Sequence, residues 1–386
     1  MNFTIRTSQI KCGFCSQGNN MELEDRIDLI NIAKKEKRKI AMYLVEDEES
    51  AQFRYRVCNV MEVLDDHDSS WQAVYFLNSE IDEVKKHLGD IDLLIILRQS
   101  AKDNKLLKII DLVKQEGKKV LFDLDDLIFD FRDLALVMRS TKSVNIFYWA
   151  LYISGVRRIA KRVDGFLVTN DFLGKKIKRS FSKPYKVISN SLNKRQVRVF
   201  NDKKKAHDGF VIGYFSGSPT HTKDFRVAES GIIKFLNNHE DAKILVVGFL
   251  GLSESMGSKL KEGKIELLKP VKYLKMQTLF EEVDVNIAPL VINDFTNCKS
   301  DLKFFEAAAA ETTTIASPSY AFKKAISDGE NGFLAKPNEW YDKLEYLYNN
   351  PKENQKIAKK AREYALKHYY GEEFLKEVEK AYEAFI

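Results

Sequence analysis

The chain has 386 residues and a net charge of +6, with 44% hydrophobic and 31% charged residues. This length exceeds a single ordinary core and predicts two domains, and the mild positive charge excludes a dedicated nucleic-acid-binding protein. No segment reaches the roughly 20 continuous apolar residues of a membrane-spanning helix, and the start of the chain lacks a signal-peptide pattern. We therefore predict a cytoplasmic protein with no nucleic-acid partner.

The four cysteines indicate neither a disulfide framework nor a metal centre. Cys12 and Cys15 have the spacing of half a zinc site, but such a site needs a second pair, and Cys58 and Cys298 are isolated. A disulfide scaffold places more cysteine in a shorter chain. We expect neither a bound metal nor a cofactor.

Short β-branched segments alternate with longer helical patterns in the first half of the chain. Such alternation is typical of a parallel sheet covered by helices. The predicted strands are Lys39–Val45, Ala73–Leu77, Leu93–Leu97, Lys119–Phe122 and Gly165–Val168. Helices are predicted between them, for example over Met21–Arg38 and Asp103–Glu116. These elements predict a first Rossmann-like domain over residues 1–203.

A second series of the same kind follows the polar segment Asn201–Asp208, which we predict to be a linker. Its predicted strands are Phe210–Tyr214, Lys243–Val247, Ile265–Leu268, Val285–Ile287 and Thr313–Ala316. The second domain then covers residues 204–386, and we hypothesise that its last helix packs back on the first domain. Because doubly wound sheets bind ligands beyond the carboxyl ends of their strands, two facing domains would form a cleft. We predict an α/β fold of two facing Rossmann-like domains.

Basic side chains follow two predicted strands of the first domain. Arg54 and Arg56 come after the first strand, and Arg98 comes at the end of the third. The planar guanidinium group suits phosphate or sugar oxygens, so we predict that these three arginines bind the acceptor substrate. The alternative is that Arg54 and Arg56 pair with the acidic residues at positions 46–49.

Acidic side chains follow the fourth predicted strand. Asp123 and Asp125 form an Asp-x-Asp sequence, with Asp126 next to it. This sequence is a known metal-binding pattern, but it belongs to folds with one Rossmann-like unit, whereas two are predicted here. We therefore predict that Asp125 and Asp126 contact the acceptor or handle a proton. Capping of the next helix is the alternative.

The predicted helix before the fifth strand combines aromatic and basic side chains on one side. Phe147 and Leu151 share that side with Arg158, Lys161 and Arg162. This combination suggests peripheral docking on an anionic membrane surface. Ordinary packing with a solvated basic face is the more common cause of such a pattern.

A loop containing glycine follows the first strand of the second domain. Gly217 and Ser218 lie in this loop, and a helix is predicted to begin near Thr222. Glycine lets backbone N–H groups approach phosphate closely, and His221 adds a hydrogen-bonding side chain. We predict that Gly217, Ser218 and His221 bind a phosphate-bearing substrate. An ordinary turn glycine and a helix-capping histidine are the alternatives.

The segment Lys299–Glu306 carries the densest functional pattern in the chain. A helix is predicted to begin at Ser300 as its N-cap, and helix starts attract anions. Lys299 and Lys303 at this start suit a diphosphate, and Glu306 one turn later suits the hydroxyls of a ribose. The alternative is a surface helix with an ordinary Lys303–Glu306 ion pair.

The order strand, Ala-Pro-Leu, loop, Lys-Ser-x-x-Lys-x-x-Glu-Ala-Ala, strand, Ser-Pro resembles the donor site of family 4 glycosyltransferases, which have the GT-B fold. That family marks its site with two glutamates separated by seven residues, and Glu306 matches the second, which binds the nucleotide ribose. The first would fall at Cys298, so the chain departs from the pattern there. Lys299, Ser300 and Lys303 instead resemble a subgroup of bacterial polysaccharide glycosyltransferases that includes rhamnosyltransferase-like proteins.

The resemblance implies a retaining, metal-independent enzyme of the hexosyltransferase type that moves a sugar from a nucleotide-sugar donor to a saccharide or a lipid-linked glycan. Lys299 and Lys303 would act in catalysis together with Asp125 and Asp126. The implied setting is synthesis of bacterial capsule or lipopolysaccharide O-antigen, in the cytoplasm or peripherally on the inner face of the plasma membrane. Two alternatives stay open, a sugar-nucleotide epimerase and a non-catalytic binding protein with the same fold.

Overall fold

The structure is a computed structural model that describes residues 21–141, 143–200, 208–217 and 221–386. Two compact units divide the chain. The first contains the residues up to Asn193 and those from Tyr369 to Ile386, and the second runs from Lys194 to His368. Cys12, Cys15 and the predicted linker, apart from its last residue, lie outside the described residues.

The first unit contains a sheet of six parallel strands in the order β2-β1-β3-β4-β5-β6. Its strands are β1 (Lys39–Val45), β2 (Trp71–Leu77), β3 (Leu93–Leu97), β4 (Lys119–Leu124), β5 (Gly165–Val168) and β6 (Tyr185–Val187). Its helices up to Asn193 are α1 (Leu23–Glu36), α2 (Ala51–Phe53), α3 (Asn59–Asp66), α4 (Ile81–Lys86), α5 (Lys105–Gln115), α6 (Leu134–Thr141), α7 (Ile146–Arg162) and α8 (Asp171–Phe181). The predicted bounds of β1, β3 and β5 are confirmed.

The central strands of this sheet are buried because helices cover both of their faces, which is why they consist of continuous apolar residues. All five residues of β3 are buried. β6 is only half-buried along its three residues, and so it lacks the apolar signal that predicted the others. The strand order reverses at β1 and β3, and the crevice beyond the carboxyl ends of two such strands is the usual ligand site of an open α/β sheet.

A buried ion pair ties the helical segment after β1 to the end of β4. A π-helical turn over Arg54–Cys58 connects α2 with α3 and places Arg56 in the interior, with 1% of the residue exposed. Its Nε lies 3.0 and 3.1 Å from the two carboxylate oxygens of Asp123. Its Nη1 donates to the carbonyl oxygen of Ile188. Burial raises the pKa of Asp123 to about 6, against the opposing charge of Arg56.

These contacts correct two expectations for Arg56. The residue does not pair with the acidic residues at 46–49, and its guanidinium is buried in the interior rather than presented to an acceptor. Local sequence could not reveal this, because Asp123 lies 67 positions away and the π turn changes which side of the helix faces inward.

The second unit contains another sheet of six parallel strands, in the order β12-β11-β10-β7-β8-β9. Its strands are β7 (Phe210–Ser216), β8 (Ala242–Gly248), β9 (Ile265–Leu268), β10 (Val285–Ala288), β11 (Thr313–Ala316) and β12 (Phe333–Leu334). Its helices are α9 (Lys194–Val199), α10 (Thr222–Asn238), α11 (Glu254–Lys261), α12 (Tyr273–Leu279), α13 (Asp294–Asn297), α14 (Leu302–Ala309), α15 (Tyr320–Ala325), α16 (Trp340–Asn349) and α17 (Pro351–His368).

Counted from β7, the order of the second sheet is the 3-2-1-4-5-6 order of the Rossmann fold. The order reverses between β7 and β10, which pair through Ile212 with Val285 and through Gly213 with Asn286. The carboxyl ends of these two strands therefore mark the position where a nucleotide is expected.

The last helix, α18 (Glu372–Glu383), belongs to the first unit. The hydroxyl of Tyr382 lies 2.6 Å from that of Tyr43 on β1, and Trp71 on β2 donates to Glu383 at 2.8 Å. Helix α9 belongs to the second unit, because Gln196 contacts the side chain of Gln277 there. The compact units thus divide between residues 193 and 194, before the predicted boundary at residues 203 and 204.

The buried pair gives a test of the first unit. Arg56→Met should lower the free energy of unfolding by about 3–5 kcal/mol, because it leaves the Asp123 carboxylate buried without its partner. Arg54→Met, which removes an arginine only two positions away, should cost well under half of that. The measurement is urea unfolding followed by circular dichroism.

Replacing both partners provides the control. The double variant Arg56→Met, Asp123→Leu should recover most of the lost stability, because an apolar pair often substitutes for a buried ion pair. A double variant as unstable as Arg56→Met alone would contradict the attribution to an uncompensated carboxylate.

Candidate functional site

The candidate donor site lies where β7 and β10 end, at the reversal of strand order in the second unit. Gly217 follows β7 directly, and a Cβ built on it would meet no atom within 4 Å among the described residues, so crowding does not demand glycine here. Ser218 lies outside the described residues. The polypeptide is described again from His221, which precedes α10.

Helix α14 begins at Leu302, after the chain has left β10 at Ala288 and passed through the short helix α13. Its N-cap is Asp301, whose carbonyl oxygen accepts from the backbone N–H of Phe304 at 2.8 Å. The expectation that Ser300 is the N-cap is therefore wrong by one residue. Both predicted lysines still flank this helix start, with Lys299 before it and Lys303 in its first turn.

The ammonium group of Lys303 is the most unusual feature of the site. Its Nζ is buried and makes no hydrogen bond to any described residue. It lies 5.0 Å from the ring centroid of Tyr214 on β7, a cation–π distance. The backbone of Lys303 is fixed from β10, because the Asn286 amide donates to its carbonyl oxygen at 2.9 Å. Burial lowers the pKa of Lys303 to about 8, helped by the charge of Lys299 and opposed by Asp224.

His221 is held by Asp224, a residue that the sequence analysis did not single out. The Nδ1 atom of His221 lies 3.1 Å from Asp224 Oδ2, and Asp224 Oδ1 accepts from the backbone N–H of Val291 at 3.0 Å. Burial raises the pKa of Asp224, but these two hydrogen bonds outweigh it and the pKa is lowered. The His-x-x-Asp spacing at a helix start was the available signal for this pair.

His221 is neutral at physiological pH. Burial, together with the charges of Lys303 and Lys299, lowers its pKa to about 4 despite the attraction of Asp224. Because Asp224 is ionised and can only accept, the proton of His221 resides on Nδ1 and the Nε2 lone pair remains an acceptor. The side chain can therefore accept a hydrogen bond from a hydroxyl group but cannot donate one from Nε2 to phosphate.

Lys299 lies beside the same cluster. Its Nζ is 5.1 Å from the ring centroid of Phe295 on α13. Its charge contributes to lowering the pKa of both Lys303 and His221, so the three groups share one electrostatic environment. The Asp224 carboxylate opposes the lowering of the pKa of both Lys303 and His221, and its Oδ2 contacts His221 Nδ1. Glu306 also opposes the lowering of the Lys303 pKa, so two carboxylates face the two lysines.

Glu306 lies deeper than the sequence suggested. The residue is 2% exposed, and its Oε1 accepts from the amide of Gln196 at 3.4 Å. Gln277 donates to the carbonyl oxygen of Glu306 at 2.8 Å. The predicted surface pair with Lys303 is not formed as a hydrogen bond, because Lys303 Nζ makes none to described residues. A ribose hydroxyl would have to replace Gln196 at the carboxylate.

The first unit carries a second cluster beyond β3 and β4. Arg98 Nη1 lies 3.0 Å from Asp125 Oδ1 and also pairs with Asp126. Burial raises the pKa of Asp125, with Asp126 adding to the effect and Arg98 opposing it. The structure thus brings Arg98, which follows β3, together with Asp125 and Asp126, which follow β4. Arg54 is half-buried, with its guanidinium 4.5 Å from the ring centroid of Tyr55.

Two features of the described part of the chain bear on metals and membranes. No group of three or more His, Cys, Asp or Glu side chains in the described residues is arranged to hold a metal ion. Among the described helices, none combines the length and the apolar composition that are needed to cross a bilayer.

Comparison with known proteins finds a partial family match and several similar folds. Residues 227–380 match the family described as glycosyl transferase-like. The chain is similar in structure to HepE of Anabaena, solved with UDP and glucose, with a TM-score of 0.60 and 11% identity over 90% of this chain and 100% of HepE. The chain has the GT-B fold, and its residues 227–380 are glycosyl transferase-like in sequence. No curated protein matches the sequence of this chain.

Two further solved structures have the same fold as this chain. Sucrose-phosphate synthase of Thermosynechococcus elongatus has a TM-score of 0.61 and 13% identity, over 90% of this chain and 99% of the synthase. A glycosyltransferase of Rickettsia africae has a TM-score of 0.62 and 13% identity, over 90% of this chain and 98% of its own. At these identities the likeness establishes the fold.

The pKa of Lys303 gives a pH test of the donor site. Below a pKa of about 8 the ammonium is charged and attracts a diphosphate, and above it the charge is lost. We expect the affinity for UDP to be constant near pH 7 and to fall by about tenfold per pH unit once the pH exceeds that pKa. His221 does not contribute, since it is already neutral throughout this range. The measurement is isothermal titration calorimetry at several pH values.

Arginine supplies the matched control. In Lys303→Arg the charge persists through this range, so the alkaline loss of affinity should disappear. Lys299→Arg should leave the loss in place. An alkaline loss of the same size in Lys303→Arg would show that another group is responsible.

Proposed function

We propose that this glycosyltransferase transfers a sugar from a nucleotide-sugar donor held at the carboxyl ends of β7 and β10. The buried Lys303 ammonium, which lacks a hydrogen-bonding partner among the described residues, is the observation that carries the proposal. A desolvated cation of this kind is costly unless an anion compensates it. A diphosphate at the reversal of strand order supplies that anion. HepE, which shares the fold, was solved with UDP.

The two lysines have a direct role in the proposed reaction. As the bond between the anomeric carbon and the diphosphate oxygen breaks, negative charge develops on the departing diphosphate. Lys303 and Lys299 stabilise that charge, and they do so strongly because the site is shielded from water. This role is commonly filled by a divalent metal ion, and the two ammonium groups provide a metal-free alternative. We therefore propose that the transfer is metal-independent.

His221 has a different role from the one expected from sequence. With Nδ1–H donated to Asp224, its Nε2 accepts a hydrogen bond from a hydroxyl of the donor. Glu306 remains our candidate for the ribose, in competition with Gln196. Gly217 and Ser300 stay predicted as contacts to the nucleotide sugar through their positions beside these groups.

The acceptor is proposed to bind in the first unit, at Arg98, Asp125 and Asp126. Burial raises the pKa of Asp125, which suits a group that exchanges a proton with an acceptor hydroxyl. We propose a saccharide or lipid-linked glycan as acceptor, in the assembly of a bacterial surface polysaccharide such as capsule or O-antigen at the inner face of the plasma membrane. TarM of Staphylococcus aureus, of similar fold, was solved with UDP and a glycoside, which supports a saccharide acceptor.

The role of the lysines is tested without knowledge of the acceptor. Lys299→Gln and Lys303→Gln should each slow the release of nucleoside diphosphate from the preferred nucleotide sugar by about 100-fold or more, since each removes stabilisation of the leaving group. The measurement is slow donor hydrolysis across a panel of nucleotide sugars. Lys323→Gln and Lys324→Gln, at exposed positions on α15, are the matched controls. Unchanged release in a folded Lys303→Gln variant would contradict the proposal.

Two measurements on the transfer reaction test whether it needs a metal ion and whether it retains the anomeric configuration. We expect transfer to proceed at the same rate with and without EDTA, because the lysines replace a divalent ion at the diphosphate. NMR of the product should show the anomeric configuration of the donor, in keeping with a retaining enzyme. Loss of activity in EDTA with recovery in Mn²⁺ would contradict metal independence, and an inverted product would contradict retention.

A further inference from the structure

Helix α7 leaves a row of large apolar side chains uncovered. Val144, just before the helix, is 94% exposed, Phe147 is 79% exposed and Leu151 is 75% exposed. Tyr148 is also exposed. Spacings of three and four residues place these side chains on one face, which we call the apolar row. Single exposed apolar residues are normal, but a contiguous group marks an interaction surface.

The exposure does not come from a loosely packed helix. Ile153, Val156 and Ile159 on the opposite face are fully buried. Gly155 packs so closely that a Cβ on it would overlap Ser100 and the backbone of Ala101. The orientation of α7 is therefore fixed, and the apolar row is presented outward by the fold.

The same face becomes basic toward the end of the helix. Arg158, Lys161 and Arg162 continue it over the last turns, and we call them the basic row. Lys161 is exposed and forms no ion pair with any described residue. The neighbouring acidic group is Asp111, 3.7 Å from Arg162 Nε, and Arg158 donates to the carbonyl oxygen of Ala101 at 3.2 Å. The row keeps a net positive charge.

The exposed Tyr148 of the apolar row neighbours two partly buried rings. The ring centroids of Tyr148 and Trp149 lie 5.4 Å apart, and those of Tyr148 and Tyr152 lie 6.1 Å apart. Tyrosine and tryptophan are enriched where an apolar phase meets water. An apolar end with an exposed tyrosine and a basic end on one face fit an interfacial helix better than a protein interface, whose centre is depleted in charge and need not have a basic flank.

The helix also lies next to the proposed acceptor residues of its own unit. Ser100, two positions after Arg98, donates to the carbonyl oxygen of Tyr152 at 3.0 Å. Arg98 and Asp125 both influence the pKa of Tyr152, which burial raises to about 12. The middle of α7 is therefore adjacent to the Arg98–Asp125 cluster.

We propose that the exposed face of α7 binds the surface of an anionic lipid bilayer, with the apolar row in the acyl boundary and the basic row on the headgroups. The immersion expected of such a helix is about 5–10 Å. One part of this inference rests on the proposed function: that the bound bilayer brings a lipid-linked acceptor to Arg98 and Asp125. Lipid binding itself follows from the surface alone.

Vesicle co-sedimentation of the full chain tests this proposal. The wild type should bind vesicles of phosphatidylcholine mixed with phosphatidylglycerol, and bind vesicles of phosphatidylcholine alone much more weakly. Phe147→Ser with Leu151→Ser should lower binding at least about tenfold, because two large side chains leave the lipid. Lys161→Gln should lower binding to the mixed vesicles by about fivefold, the value of one charge near an anionic surface.

Matched controls separate lipid binding from folding and catalysis. Leu260→Ser with Leu267→Ser removes two exposed leucines from the second unit and should leave vesicle binding unchanged. Phe147→Ser with Leu151→Ser should keep the wild-type melting temperature and its release of nucleoside diphosphate in solution. Vesicle binding that requires the apolar row supports the proposal even if no sugar transfer is found with any acceptor.

Three results would overturn the inference while leaving the proposed transferase intact. The first is a wild-type chain that transfers sugar but does not bind the mixed vesicles. The second is binding that is unaffected by loss of the apolar row. The third is a wild-type dimer that becomes monomeric in Phe147→Ser with Leu151→Ser, which would assign the face to a second copy of the chain.

Discussion

The burial of the Lys303 ammonium without a hydrogen-bonding partner among the described residues is the constraint that organises the second unit. Removing a cation from water is costly, and the Tyr214 ring at 5.0 Å recovers only part of that cost. The Asn286 amide on β10 holds the backbone of Lys303 beside the end of the sheet. Our proposal is that an anion compensates this cation.

The topology of the second sheet explains why the candidate site lies beyond the ends of β7 and β10. Strands β7 and β10 are neighbours in the sheet although they are distant in sequence: Val211 on β7 contacts Asp284, 73 positions later. The strands that follow β7 and β10 lie on opposite sides of this pair. The loops after the two strands therefore separate and leave a crevice. Asp224 joins them by accepting from Val291 and holding His221, so the cluster is built by contacts across the reversal.

Part of this candidate site is visible in the sequence, and part depends on distant contacts. Lys299, Lys303 and Glu306 stand out because a strand, a loop and a helix start occupy one continuous stretch, and their roles stay predictions. Asn286 and Gln196 were missed because their contacts to this stretch span 17 and 110 positions, which no local pattern encodes. The burial of Glu306 was missed for the same reason.

The fold was predicted best where strands are fully buried and continuously apolar. The bounds of β3 and β5 follow from such segments, whereas β6 and β12 are three and two residues long and carry little apolar signal. Arg56 was placed at a surface because its position after a strand resembles that of Arg98, and only tertiary contact distinguishes them. The Arg98 cluster is partly open to solvent, and the Arg56 pair is enclosed.

A crystal structure of the protein with UDP would test the central claim most directly. The account predicts the diphosphate beyond the carboxyl ends of β7 and β10, with a phosphate oxygen within hydrogen-bonding distance of Lys303 Nζ. UDP bound elsewhere on the second unit, for example in the surface depression at the amino-terminal ends of these strands beside Phe210 and Asp284, would contradict it. So would UDP bound near Lys303 with its ammonium turned away from both phosphates.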